Sequence, residues 1–138
     1  MRYTRLILIV VLAMVLAACD SGGDDDTSAA PQAVIDYLNV KLQGDEDGIR
    51  GLICAELESA ISREAASFAS VEAELSEDTT CEVDGTDGDY TMVTCTGNIV
   101  ALYGTETNEI ALTSYRTVQE DGEWRWCGEG VSSTEGGS

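Results

Sequence analysis

Five cysteines, no histidine and a large excess of carboxylates limit the chemistry open to this chain. Without imidazole, the acid–base and nucleophilic schemes built on histidine are excluded. Cys54, Cys81, Cys95 and Cys127 form no C-x-x-C pair, so zinc would need four thiolates at wide, irregular spacing. An even number of cysteines in a chain this small reads better as two disulfides. Three pairings can be drawn. We favour Cys81–Cys95, which flank the turn-rich stretch Asp84-Gly85-Thr86-Asp87-Gly88-Asp89, and Cys54–Cys127, which would tie an early helix to the last strand. No metal and no other cofactor is expected.

The fifth cysteine, Cys19, stands apart. Met1–Arg5 carries two arginines and no acid, and Leu6–Ala18 is an unbroken apolar run of 13 residues. A bilayer span needs about 20 residues, so the run is too short to cross. A basic start, a short apolar stretch and small residues at its end describe a secretory signal peptide over residues 1–18. Leu16-Ala17-Ala18-Cys19 resembles the bacterial lipobox. The resemblance implies that Cys19 is diacylated through its thiol and becomes the first residue after cleavage, a lipid-anchored (palmitate-bearing) N-terminus on the outer side of a cell membrane. Two or more acyl chains make a lasting anchor, at about 0.8 kcal/mol per buried CH₂. Asp20 directly after that cysteine matches the inner-membrane retention signal of some two-membrane bacteria.

Residues 20–30, DSGGDDDTSAA, contain no large apolar side chain and read as an acidic tether. As a flexible coil it would span about 18 Å. Asp24, Asp25 and Asp26 lack the ligand spacing and glycine turn of a calcium loop. Once Arg2 and Arg5 leave with the signal, five basic residues stand against 26 acids, a net charge of −21. Such a domain is repelled by phosphates, so nucleic acid is excluded as a partner, and an anionic lipid surface pushes it away.

The elements that must position these groups divide into helices followed by strands. Pro31 suits a first helical turn, and Val34, Leu38 and Leu42 repeat every four residues up to a stop near Gly44. Asp47 is expected to cap a short second helix turning Ile49, Leu52 and Ile53 inward. Leu57, Ile61, Phe68, Val71 and Leu75 recur at helical spacing, with a break near Ser67. From Thr80 the period changes. Thr80–Gly85, Tyr90–Tyr103, Glu109–Gln119 and Trp124–Cys127 are rich in β-branched and aromatic residues and are separated by short turns, which predicts an antiparallel meander. The fold class is therefore α+β, with N-terminal helices packed on one face of a curved antiparallel meander sheet over residues 31–129 and a disordered tail over 130–138.

On that frame, Asp36 and Tyr37 lie on the first helix, Tyr115 and Arg116 on a central strand, and Trp124 and Trp126 on one face of the last strand. Tyr37, Tyr115, Arg116, Trp124 and Trp126 are the groups expected around a pocket. Strand alternation places Arg116 with Ile110, Leu112 and Val118, on the face expected to meet the helices. A guanidinium there requires a buried carboxylate or a ligand anion, and the ion pair is preferred. No catalytic residue is assigned.

The order of a helix, the segment GDEDGIRGLI, more helix and then long strands ending in VQEDGEWRWC resembles small bacterial lipoproteins with a nuclear transport factor 2-like domain, also called SnoaL-like or cystatin-like. Gly44-Asp45 after the first helix and Asp121-Gly122-Glu123-Trp124 in the last hairpin carry the likeness over residues 30–128. It implies a cone-shaped roll enclosing a pocket, and frequent homodimers. Members include isomerases, cyclases, dehydratases and transport adaptors, so the fold alone does not deliver function. The expectation is a non-catalytic binding or accessory lipoprotein of the cell envelope, contacting an envelope protein or a small ligand. A purely structural or stress-related surface lipoprotein is the alternative, and an isomerase- or cyclase-type enzyme comes last. An open, lined cone would favour a small ligand, and a plugged one a protein partner.

Overall fold

A computed structural model describes residues 26–130. The signal segment, Cys19, most of the tether and the tail from residue 131 lie outside the described residues. Helix α1 (Ala30–Leu42) takes Pro31 in its first turn, where the missing N–H costs nothing, and buries Ala30, Val34, Tyr37, Leu38 and Leu42 along one stripe. The folded part therefore reaches back into the segment read as tether. Thr27–Ala29 forms a 3-10 turn capped by the Asp26 carboxylate, and Ala30 is fully buried. Gly44 ends the first helical unit with a φ of 68°, the left-handed region that glycine adopts without strain.

Helix α2 (Glu46–Leu52) is capped two residues earlier than expected. Asp45, not Asp47, accepts the Gly48 N–H at 3.0 Å, and Asp47 sits in the first turn, where a carboxylate complements the helix dipole. A 3-10 turn over Ala55–Ala60 leads into helix α3 (Ile61–Ala66). The helical spacing through Val71 and Leu75 does not continue as helix. Val71 lies in the bend before strand β1 (Glu72–Leu75), which Leu75 ends, and exposure along the strand alternates with period two.

The remaining strands are β2 (Thr80–Asp87), β3 (Tyr90–Thr96), β4 (Asn98–Tyr103), β5 (Glu106–Ala111), β6 (Ser114–Glu120) and β7 (Glu123–Glu129). All neighbours are antiparallel, as predicted, but they form two sheets rather than one curved meander: β1-β4-β5 and β2-β3-β6-β7. Neither sheet closes or curls strongly, so the expected cone is not formed. The reason lies at Gly97. The stretch read as one strand, Tyr90–Tyr103, breaks there into β3 and β4, and its partner breaks at Leu112–Thr113 into β5 and β6. Pairing survives the break through Cys95 N to Thr113 O and Leu112 N to Gly97 O, both at 3.0 Å. Across it the register moves by one residue, from Thr94↔Ser114 to Asn98↔Ala111, which is a bulge. Gly97 has φ of 108°, and a Cβ on it would stand 2.9 Å from the Thr79 Cα. Only glycine fits where the strand passes so close to the turn joining β1 and β2.

The core lies between the helices and the four-stranded sheet: Val34, Tyr37, Leu38, Ile49 and Ile53 meet Val93, Tyr115 and Trp126. Two disulfides fasten it. Cys54–Cys127 joins the segment after α2 to β7, and Cys81–Cys95 joins β2 to β3 at directly paired positions. Both are the pairings favoured above. The Cys54 N–H also donates to the Trp126 carbonyl at 2.8 Å, so backbone and bridge tie the same two points.

Candidate functional site

Of the groups expected around a pocket, the structure brings together Tyr37 and Trp126. Tyr37 arrives from the buried stripe of α1 and Trp126 from the inner face of β7, and their rings stack with centroids 3.9 Å apart and planes 8° from parallel. Both are almost wholly buried. The Tyr37 hydroxyl donates to Glu64 Oε2 at 2.8 Å, and the same oxygen takes an ion pair from Lys41 Nζ at 2.7 Å. Lys41 also lies 5.9 Å from the Trp126 ring centroid. Sequence reasoning missed Lys41 and Glu64 as members of this cluster. Tyr37 and Lys41 are one helical turn apart, so a single acceptor can serve both, but nothing in the sequence marks Glu64 among the acids.

The electrostatics follow from burial. Desolvation pushes the Tyr37 hydroxyl well above the usual tyrosine range, and its bond to the Glu64 carboxylate adds to that. For Glu64, burial acts to raise the carboxyl. The hydrogen bonds and charge of Lys41, with the Tyr37 hydroxyl, outweigh it and hold the group below its ordinary value. A tyrosine that keeps its proton and a carboxylate that keeps its charge form a fixed donor–acceptor set. Neither is poised to exchange a proton near neutral pH.

Tyr115 is also buried, and burial raises its hydroxyl as well. Trp124 does not stand beside Trp126 in a pocket. Its indole N–H donates to the Asp26 carbonyl at 3.1 Å and fastens the segment before α1. The Trp126 indole N–H is buried without an acceptor among the described residues.

Arg116 corrects an expectation. It does not share the inner face. Tyr115 and Thr117 do, and the Thr117 hydroxyl donates to the Thr91 carbonyl at 2.8 Å. Arg116 and Val118 do share a face of β6, but it is the partly exposed one, so the alternation within the strand holds and only its assignment to the helix side fails. Arg116 instead points away from the helices, pairs with Asp87 at 3.2 Å, lies 5.5 Å from the Tyr90 ring centroid and keeps about 35% of its side chain exposed.

The interior beneath the helices is thus filled by Tyr37 and Trp126. A concave feature lies elsewhere, a cleft of about 510 Å³ where Leu42 of α1 and Val71 meet Glu72, Glu74, Val100 and Leu102 of the three-stranded sheet.

The disulfides mark an oxidising, extracytoplasmic compartment for the folded domain. Among the described residues no helix is long and apolar enough to cross a membrane. Comparison of the chain with protein-family models, with curated proteins and with solved structures finds no match.

Proposed function

We propose that this is an extracytoplasmic lipoprotein, anchored through lipid on Cys19, whose α+β domain binds an envelope partner without catalysis. The observation that carries this reading is the pair of disulfides in a domain that follows a short apolar leader ending in Leu-Ala-Ala-Cys. The filled interior supports the non-catalytic part, because a reacting group needs a cavity beside a titratable side chain and Tyr37 is stacked and locked. It also favours a protein partner over a small ligand held inside. The order of helices before an antiparallel set of strands supports a distant relation to nuclear transport factor 2-like domains. The test is labelled palmitate. Wild type incorporates it and sediments with membranes, whereas Cys19→Ser takes up none and is either unprocessed or released. Equal labelling of the two proteins would refute the anchor.

A further inference from the structure

The three-stranded sheet has two unlike faces. Register places Ile99 and Ala101 on one, and both are buried. On the other face, Glu72 stands beside Leu102 and Thr107, and Glu74 beside Val100 and Glu109. The central strand thus offers an apolar stripe, with Leu102 39% exposed, between carboxylates on both flanking strands. Strands β1 and β5 lie two strand spacings apart, roughly 10 Å, which is the diameter of an α-helix with its side chains. Among the described residues Glu72, Glu74 and Glu109 enter no ion pair, although all five basic side chains there do.

An apolar floor between two acidic rims is complementary to a helix with an apolar stripe flanked by Lys or Arg. Charge argues against other occupants. A second copy would set the same carboxylates face to face on two processed chains of net charge −21, and an anionic lipid surface would be repelled. We propose that the face of β1-β4-β5 carrying Val100 and Leu102 docks a cationic amphipathic helix of a partner protein. The assignment deepens the binding role proposed above and rests on it.

The probe is a fluorescent Leu–Lys peptide of about five helical turns, with Lys flanking a Leu stripe. Its anisotropy is followed against the full chain held on phosphatidylcholine nanodiscs, with empty nanodiscs as reference. Saturable binding above that reference is expected. Glu72→Lys/Glu74→Lys should weaken it by about tenfold or more, and raised salt should weaken it too. Leu102→Asp should weaken it comparably. The charge-matched control Glu77→Lys/Glu82→Lys, exposed but off this face, should stay within about twofold if the rim rather than the overall charge is read. Three results would overturn the proposal: no binding above the empty nanodisc, equal loss in both charge-reversal pairs, or equal binding of a scrambled peptide with the same lysines and no apolar stripe. Each leaves palmitate incorporation unaffected, so failure here is distinguishable from failure of the anchor.

Discussion

Tyr37 and Trp126 lie 89 positions apart in the chain and stack face to face at 3.9 Å, making the contact that joins the first helix to the last strand. The stack and the hydroxyl of Tyr37 are separable. Tyr37→Phe keeps the ring and removes the bond to Glu64, so we expect a loss of about 1.5–3 kcal/mol, the range for a hydrogen bond to a charged group. Trp126→Ala empties the centre of the core and should cost about 3–5 kcal/mol. Urea melts of both variants check the pair. A Tyr37→Phe loss as large as that of Trp126→Ala would show that the hydroxyl, not the stack, holds α1 in place.

The same cluster sets the limits of stability with pH. Glu64 is held below its ordinary value of 4.5, so its contribution is complete above that pH and is lost as the pH falls through the lower, folded value. Tyr37 is raised above its ordinary value of 10.0, so its contribution is complete below that pH and declines as the pH rises past it. Glu64→Gln should flatten the acid limb of a stability-against-pH profile and Tyr37→Phe the alkaline limb. An acid limb unchanged in Glu64→Gln would assign acid sensitivity to other carboxylates.

The two bridges close loops of different size. Cys54–Cys127 spans 73 positions and Cys81–Cys95 spans 14. The loop-entropy relation gives about 4 kcal/mol for the first and about 3 kcal/mol for the second. Paired Cys→Ala variants, each removing one bridge, should therefore lose stability in that order by urea melt. Non-reducing peptide mapping should recover the two pairs intact from native protein. Four alkylatable thiols would refute the bridges and the compartment with them.

Arg116 is expected to matter little to stability. Its partner Asp87 is about half exposed, and exposed pairs contribute about 0–1 kcal/mol. Arg116→Met keeps the stem that lies against Tyr90 and should cost less than about 1 kcal/mol, with most of the loss disappearing at high salt. A salt-independent loss near 3 kcal/mol would place the guanidinium in a buried pair.

Much of this domain is legible without coordinates because the signals are local. Val34, Leu38 and Leu42 repeat along one side of a helix, Gly44 ends it, and Asp121-Gly122 closes a two-residue hairpin with both residues at positive φ. Cysteine parity and the flanking turn yielded the bridge pairs for a similar reason. The facing of Arg116, the division into two sheets and the identity of Glu64 depended on tertiary structure. A bulge needs two strands to exist, and the extra residue at Gly97 has meaning only against Leu112 and Thr113 across the ladder. Likewise, any of the 26 acids could have answered Tyr37 and Lys41. The packing of α3 against α1 selected Glu64, because a buried carboxylate is tolerated only where donors converge on it.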